Sequence, residues 1–256
     1  MTREKSRIHR RTLLLGGAAL TLGGCDRIAS DVRSKQVLAS AETLTSRVQR
    51  LLSPAGALAR EFAEADLSPA FKANGTTDPD DDDYQAMAGK DFAEWTLDVD
   101  GLVERPAKFS LAELRALPSR TQITRHDCVE GWSCIGKWKG APLGEVLQRV
   151  GLRPDARYLV FHCADPMDHG DAESKYYESI DIAEATHPQT LLAYEMNGAP
   201  LKVAHGAPLR LRVERQLGYK MAKYLMRIEA VADFAALRGG KGGYWEDLGY
   251  AWYAGI

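Results

Sequence analysis

Residues 125–133 read Arg-His-Asp-Cys-Val-Glu-Gly-Trp-Ser, and they place one cysteine, Cys128, directly behind an arginine and a histidine. Positive charge beside a cysteine favours its thiolate, which is the form that binds soft metal ions. A free cysteine is also commonly a small buried hydrophobic residue. This segment therefore leaves two interpretations of Cys128, a metal ligand or a residue of the core.

A second segment, residues 197–223, combines glycines with a cluster of positive charge. Five cations lie between Arg210 and Lys223, and Arg210 and Arg212 should point to the same side of one strand. Glycines let the backbone approach a ligand closely, and clustered cations suit an anion such as a phosphate. The alternative is a strand with one apolar face and one charged face in solvent.

The periodicity of the chain predicts short strands with irregularly interspersed helices. Residues 95–100 alternate apolar and polar before Gly101, and residues 158–163, 209–213 and 224–231 are also predicted strands. Ser110 and Glu113 form a capping-box pattern at the start of a short helix, and further helices are predicted at 142–150 and 180–186. Because strands and helices do not alternate regularly, the predicted class is α+β with a mixed or antiparallel sheet.

The N-terminus has the pattern of an export signal. Arg10 and Arg11 precede an uncharged stretch, residues 12–24, which is too short to span a membrane as a stable helix. The paired arginines resemble a twin-arginine signal, and residues 22–25 resemble a lipobox in which Cys25 is lipidated. Asp26 resembles a signal for retention in the inner membrane. The alternative is a plain cleaved signal without lipidation.

These features predict three segments. Residues 1–25 are the twin-arginine-type signal with the lipobox, residues 26–67 are a helical tether or arm, and residues 68–256 are the main domain. A periplasmic protein anchored by lipid to the inner membrane follows from this organisation. The acidic run at 78–83 is predicted to be a solvated loop, and the aromatic, glycine-rich residues 239–253 a tail packed over the domain or covering the mouth of its site.

Composition and cysteine number narrow the classes of function. The chain has 256 residues and a net charge of −2, so no overall field favours nucleic acid. With Cys25 set aside, Cys128, Cys134 and Cys163 remain, and an odd number in an exported chain implies at least one free or metal-bound thiol. A zinc site near Cys163 is disfavoured, because His162 and Cys163 are adjacent on a strand and should face opposite sides.

The motifs together resemble the molybdopterin domain of the sulfite oxidase superfamily, most closely the branch that contains the catalytic subunit of the periplasmic methionine sulfoxide reductase. The resemblance rests on Cys-Val-Glu-Gly-Trp-Ser at 128–133, Pro-Leu at 142–143, His-Pro-Gln-Thr-Leu at 187–191 and the block 197–223. It covers about residues 68–234. It implies a single sulfite-oxidase-type domain that uses a molybdenum–molybdopterin cofactor for oxygen-atom transfer, either sulfoxide-type reduction or sulfite-type oxidation.

The resemblance also implies roles for individual residues. Cys128 is the catalytic molybdenum ligand, and Arg125 and His126 either tune its thiolate and meet substrate or form surface salt bridges. Cys163 and His205 depart from the residue types of the reductase, and the alignment at Asn74 is looser. The implied contacts to the cofactor are Asn74, Cys128, Cys163, His205, Arg210, Met221, Ala222 and Lys223.

The same family resemblance implies partners for the protein, and two alternative functions remain open. The resemblance implies a small-molecule oxygen donor or acceptor and an electron partner, either a membrane cytochrome or a soluble haem protein. One rival is a lipoprotein that keeps the fold as a non-catalytic binding or assembly module. Another is a dithiol redox protein that uses Cys128 and Cys134.

Overall fold

The computed structural model describes residues 44–45, 48–49, 56–168 and 174–256. Contacts divide the chain into two units, 1–52 and 53–256. Of the first unit only four residues are described, and all four are helical. The predicted signal, lipobox and Cys25 lie outside the described residues. Among the described residues, no helix is both long and apolar enough to cross a membrane.

The first sheet of the second unit has five strands in the order β2-β1-β10-β5-β6. Its strands β1 and β10 are parallel and the other neighbours antiparallel, so the sheet is mixed. The predicted alternation in β1 is confirmed, because Leu97 and Val99 are buried while Thr96, Asp98 and Asp100 are partly exposed. The strand bounds are β1 Thr96–Gly101, β2 Ala107–Ser110, β5 Tyr158–Pro166, β6 Lys175–Asp181 and β10 Leu225–Val231.

The second sheet is antiparallel, in the order β3-β4-β7-β8, with β9 paired to β7. Its hairpin β3–β4 carries the cysteine motif at the turn, since Asp127 pairs with Ser133 as the last register position. The strand bounds are β3 Arg120–Asp127, β4 Ser133–Pro142, β7 Leu191–Met196, β8 Ala199–Pro200 and β9 Arg210–Arg212.

Short helices connect the strands and begin where the sequence provides caps. Ser110 and Glu113 form the predicted capping box, and the helix at 142–150 is confirmed, ending at Gly151, whose φ of 69° favours glycine. The helices are α1 Asp82–Ala88, α2 Leu111–Ala116, α3 Leu143–Val150, α4 Ile182–Ala185 and α5 Tyr244–Asp247. Short 3-10 helices lie at Glu64–Asp66, Val203–His205 and Gly218–Lys220.

One hydrophobic core joins the two sheets. It contains Leu97 of β1 and Ile228 of β10 from the first sheet, Leu192 of β7 from the second, and Leu114 and Val146 from α2 and α3. Burial of these apolar side chains is the main driving force for packing the layers together. The α+β class with a mixed sheet and interspersed helices is therefore confirmed.

Several local predictions need correction. The helix predicted at 180–186 is shorter, because Ile180 pairs with Leu159 as part of β6 and Asp181 caps α4. The acidic run is only partly a loop, since Asp81 caps α1 and two following aspartates form its first turn. Residues 57–67, assigned from sequence to the arm, lie within the second unit, where Glu61 forms a β-bridge with Thr124.

Candidate active site

One cavity of about 180 Å³ brings the cysteine motif and the cation segment together. The turn after β3, the end of β5, the 3-10 helix Gly218–Lys220 and the C-terminal tail all contribute to its wall. It is lined by Asn74, Gly75, Thr76, Cys128, Val129, Glu130, Asp165, Met167, Tyr176, Gly218, Tyr219, Met221, Ala222, Lys223, Trp245 and Tyr250.

Cys128 sits in a tight turn that closes the β3–β4 hairpin. Its backbone N–H donates to the carbonyl of Trp132 at 3.0 Å, and Gly131 donates back to the Cys128 carbonyl at 3.0 Å. Gly131 has a φ of 83°, a conformation that side chains other than glycine rarely adopt. The turn therefore fixes a half-buried thiol at the wall of the cavity.

The sequence predicted that positive charge on Arg125 and His126 favours the thiolate form of Cys128. For the free thiol this prediction is wrong. Arg125 is exposed and its Nε donates to Asp127 Oδ2 at 2.9 Å, which is the surface salt bridge left open by the sequence. Burial is the main influence on Cys128, and it raises the pKa of the thiol. Cys128 would therefore lose its proton on binding a metal, because ligation itself favours the thiolate.

His126 is fully buried on β3, and its contacts fix which nitrogen carries hydrogen. Nδ1 of His126 lies 3.1 Å from Nη1 of Arg212 and 3.2 Å from Sδ of Met221; because the guanidinium can only donate and a thioether is a weak acceptor, Nδ1 accepts from Arg212. Burial, followed by the charge of Arg212, lowers the pKa of His126 well below its usual range, so the ring is neutral and Nε2 bears the hydrogen. That nitrogen has no partner among the described residues, and a side chain at Gly218 would lie 2.5 Å from it.

Lys223 is a buried cation at the C-terminal end of the glycine- and cation-rich segment, residues 197–223. Its Nζ donates to the carbonyls of Asn74 at 2.7 Å, Ala204 at 3.1 Å and Thr76. Burial, with a further contribution from Arg210, lowers the pKa of Lys223 to about 7. Within residues 56–168 and 174–256 no carboxylate forms an ion pair with it.

Arg210 is a second buried cation of the same kind. Its Nη1 donates to the His205 carbonyl at 3.0 Å and its Nη2 to the Met221 carbonyl at 3.3 Å, while its Nε has no partner in the described structure. Burial, followed by the charge of Arg212, lowers the pKa of Arg210 to about 9. Uncompensated buried charge is costly, so Arg210 and Lys223 together favour an anionic ligand at this place.

Two neighbouring cations are satisfied by the protein itself. Arg212 is buried and donates to both carboxylate oxygens of Glu214, at 2.9 and 2.6 Å. Lys220 is buried between Glu178 at 2.5 Å and Glu246 at 2.6 Å. The prediction of a solvated charged strand face is therefore wrong, since Arg210 and Arg212 are both buried.

Some of the site residues predicted from the sequence line the cavity, and others do not. Asn74, Cys128, Met221, Ala222 and Lys223 line the cavity, and Arg210 lies behind it against the Met221 backbone. His205 is half-buried, and its ring packs edge-on against Phe71 at 5.8 Å.

Cys163 does not line the cavity in the described structure. It is 3% exposed within the main core, where burial raises the pKa of its thiol well above its usual range. The structure therefore gives Cys163 the surroundings of a core residue rather than of a cofactor ligand.

Sequence reasoning missed Asp165, and it left open whether the aromatic tail packs over the domain or covers the mouth of the site. Asp165 is buried, its Oδ1 has no partner in the described structure, and burial raises its pKa to about 7. Its only signal in the sequence is its position just beyond a predicted strand. Trp245 and Tyr250 are recognisable as aromatic residues, but only the fold brings them to the cavity.

The structure gives little support to a dithiol site formed by Cys128 and Cys134, or to a zinc site near Cys163. Cys134 faces His126 across the hairpin and Cys128 faces Trp132, so the two cysteines are diagonal neighbours. Such neighbours are roughly 7–8 Å apart, whereas the Cα atoms of a disulfide are usually about 5.5–6 Å apart. No group of three or more metal-ligating side chains occurs among the described residues, and His162 pairs with Glu229 at 3.0 Å.

A comparison with known families now identifies the domain. The family model of the oxidoreductase molybdopterin binding domain matches residues 84–236, more than half of the chain. The chain belongs to this family. The resemblance inferred from the motifs is confirmed, and the protein is a molybdopterin-dependent oxidoreductase.

Curated relatives of this molybdopterin oxidoreductase are named as methionine sulfoxide reductase subunits. The putative protein-methionine-sulfoxide reductase subunit YedZ1 of Azospira oryzae is 38% identical over 245 residues, which is 96% of this chain and 85% of the relative. The catalytic subunit MsrP of Xanthomonas axonopodis pv. citri is 41% identical over 147 residues, 55% of this chain and 46% of the relative. This chain therefore matches less than half of the length of MsrP.

Among solved structures, the sulfane dehydrogenase SoxCD of Paracoccus pantotrophus is similar with a TM-score of 0.48 and 23% identity. The match covers 55% of this chain and 39% of that chain.

The residues of the cavity fit a molybdopterin cofactor. Arg210 and Lys223 are positive charges without a carboxylate partner in the described structure, as the binding of a phosphate requires. A thiol at the wall of the same cavity provides the soft ligand that molybdenum needs. Gly218 packs directly against the imidazole of His126, because any side chain there would clash with the ring.

Proposed function

We propose that this oxidoreductase reduces sulfoxides of the methionine type by oxygen-atom transfer. The observation that carries the proposal is the 38% identity, over 96% of the chain, to a relative named as a methionine sulfoxide reductase subunit. The balanced reaction converts a sulfoxide, two electrons and two protons into a thioether and water. When bound, the cofactor supplies the two-electron redox chemistry and the site from which oxygen is exchanged.

The chain's own residues hold and orient the reacting group in this proposal. Cys128 provides the protein sulfur for the molybdenum, while Arg210 and Lys223 bind the anionic group of the pterin. His126, with a neutral ring and a free Nε2–H, offers a hydrogen-bond donor beside Gly218. Because its pKa lies well below the usual range, His126 would act as a fixed donor rather than as a proton carrier.

The electron source and the location are part of the proposal. The sequence contains no Cys-x-x-Cys-His haem-attachment motif, so electrons would come from a separate membrane cytochrome or soluble haem protein. Residues 1–25 would direct export to the periplasm, with lipidated Cys25 holding the protein at the inner membrane. The word "subunit" in the name of the relative supports an assembly with a partner.

The decisive experiment measures cofactor and activity on the same preparation. The exported protein should contain molybdenum and pterin near one per chain, and should reduce methionine sulfoxide with a reduced dye as electron donor. Cys128→Ala should lose turnover by at least about a thousandfold, since the metal loses its protein ligand. Protein without molybdenum and pterin, or wild-type turnover in Cys128→Ala, would contradict the proposal.

Cys134→Ser is the matched control. Within the part of the chain that the structure describes, the Sγ of Cys134 makes only a weak contact, to the Ala70 carbonyl at 3.8 Å, so this variant should keep its turnover. Loss of activity in Cys134→Ser, together with metal-independent activity in the wild type, would instead support a dithiol mechanism. Sulfite oxidation by the loaded protein, without sulfoxide reduction, would reverse the proposed direction.

A further inference from the structure

The lining of the cavity combines charged and uncharged residues. Lys223, together with Arg210 against the Met221 backbone, suits the anionic cofactor. Five further lining residues, Val129, Met167, Tyr219, Trp245 and Tyr250, carry no charge. A site lined by both kinds of residue can hold an anion and an apolar group of a second ligand.

Two of these five uncharged residues, Trp245 and Tyr250, belong to the C-terminal tail, residues 239–256. This tail lies outside residues 84–236, which the family model matches. The rings of Trp245 and Tyr250 pack against each other at 5.3 Å and 32°, and Tyr219 meets Tyr250 edge-on at 5.3 Å. Three aromatic rings therefore form one continuous wall, which we call the aromatic wall.

Part of the aromatic wall is open to solvent. Tyr250 is 41% exposed, and Val129 on the cysteine turn is 45% exposed. Large apolar side chains are exposed at few described positions, and these two line the same cavity. Exposed apolar groups gathered at a cavity mark a place where an apolar ligand is bound.

Buried contacts hold the aromatic wall in place against the cavity floor. Glu246, next to Trp245, accepts from Lys220 Nζ at 2.6 Å, and Lys220 belongs to the 3-10 helix Gly218–Lys220. The hydroxyl of Tyr219 donates to the Ala251 carbonyl of the tail at 2.6 Å. The wall is therefore preorganised, and a ligand that packs on it does not have to order it first.

We propose that the aromatic wall selects the substrate, favouring sulfoxides that carry an apolar or aromatic substituent over small sulfoxides such as dimethyl sulfoxide. This inference rests on the proposed function and adds the specificity-determining residues Trp245 and Tyr250. Aromatic faces bind apolar groups and make favourable contacts with sulfur, so the substituent packs on the wall while the S=O group points towards the side of Cys128.

The test compares two substrates that share the S=O group but differ in apolar size, methyl phenyl sulfoxide and dimethyl sulfoxide. With the cofactor-loaded full chain, Trp245→Ala and Tyr250→Ala should each raise KM for methyl phenyl sulfoxide about two- to tenfold. Their kcat, and both constants for dimethyl sulfoxide, should change less than about twofold. Trp245→Phe should recover most of the loss, because it restores an aromatic face.

The control variant is Leu248→Ala. Leu248 belongs to the same tail and is 64% exposed, but it is not among the described lining residues of the cavity. Its kinetics on both substrates should equal those of the wild type. Equal changes for both substrates in Trp245→Ala and Tyr250→Ala, or a matching change in Leu248→Ala, would overturn the inference.

A binding measurement separates this inference from the proposed function. Methyl phenyl sulfide, the thioether product, should bind the loaded wild-type protein in calorimetry and bind Tyr250→Ala about two- to tenfold more weakly. If the wild type reduces neither sulfoxide but shows this pattern of binding, the proposed reaction fails and the aromatic wall stands. If it reduces both sulfoxides and the variants bind the sulfide as tightly as the wild type, the aromatic wall fails and the reaction stands.

Discussion

Two pairs of buried cations lie within fourteen residues of one another and have opposite surroundings. Arg212 and Lys220 each contact carboxylates, Glu214 for the first and Glu178 and Glu246 for the second. In the described structure the hydrogen bonds of Arg210 and Lys223 go to backbone carbonyls and to no carboxylate. The first pair is neutralised by the fold, and the second needs an outside anion.

This difference separates the cations that stabilise the fold from the cations that are available to bind a ligand. A buried charge with a good partner contributes little net stability, but removing one member leaves the other uncompensated. A buried charge without a partner costs stability until a ligand compensates it. Substitutions in the two pairs should therefore have different effects on folding and on cofactor retention.

The largest effect is expected for Lys220→Met. This change leaves Glu178 and Glu246 buried without their cation, so the free energy of unfolding should fall by about 3–5 kcal/mol. Chemical denaturation of the variant and the wild type measures this difference. A loss below about 1 kcal/mol would show that the fold does not depend on this ion cluster.

A triple variant provides the matched control for that prediction. Lys220→Met combined with Glu178→Gln and Glu246→Gln removes all three charges together and should recover a large part of the stability.

A smaller effect, on cofactor rather than on fold, is expected for Lys223→Met. Loss of one charge-assisted contact should weaken retention of the pterin about ten- to a hundredfold, while the free energy of unfolding without cofactor changes by less than about 1.5 kcal/mol. Pterin content after dialysis and chemical denaturation give the two numbers. Pterin content equal to that of the wild type would contradict the role of Lys223 in binding the anion.

The smallest effect, when counted for each step of one pH unit, concerns the pH dependence of stability without cofactor. The pKa of Lys223 is lowered to about 7, so between pH 7 and its usual pKa near 10.5 only the unfolded chain keeps the proton. Unfolding then takes up a proton, and stability should rise with pH over this range, by up to about 1.4 kcal/mol per pH unit. Lys223→Met should remove this rise, seen as a flatter dependence of Tm on pH relative to the wild type.

Asp165 should make the stability of the folded protein fall with rising pH in the acid range, which is opposite to the effect of Lys223. Its pKa is raised to about 7, so the folded protein keeps a proton that the unfolded chain releases above pH 3.8. Stability should therefore fall as pH rises from about 4 to 7, and Asp165→Asn should flatten that part. Identical pH profiles for wild type and both variants would contradict the surroundings assigned to these two groups.

The sequence predicted most of the fold where local signals are strong. The alternation in β1, the capping box at Ser110 and the glycine at 151 were read correctly because each depends on a few neighbouring residues. Strands β4 and β7 were missed, since β4 mixes polar and apolar residues and β7 is buried almost throughout. Burial on both faces removes the alternation on which strand prediction depends.

The site was predictable only in part, for a similar reason. Cys128 and Lys223 belong to continuous motifs, and both line the cavity. Asp165 and Trp245 reach the cavity only through the pairing of distant strands and the packing of the tail. The distinction between Arg210 and Arg212, identical in type and two residues apart, depends on the nearby carboxylate of Glu214 and cannot be read from the alternation of the strand.

Gly218 in the wall of the cavity and Gly206 next to Lys223 mark a region that resists substitution. A side chain at Gly218 would lie 2.5 Å from the ring of His126, and one at Gly206 would lie 2.9 Å from Lys223, at a φ of 97° that already favours glycine. Tyr250 in the tail is 41% exposed, so part of its side chain meets solvent rather than packed atoms. Directed evolution of this protein towards new substrates should therefore collect its successful substitutions in the tail, while positions 206 and 218 stay glycine.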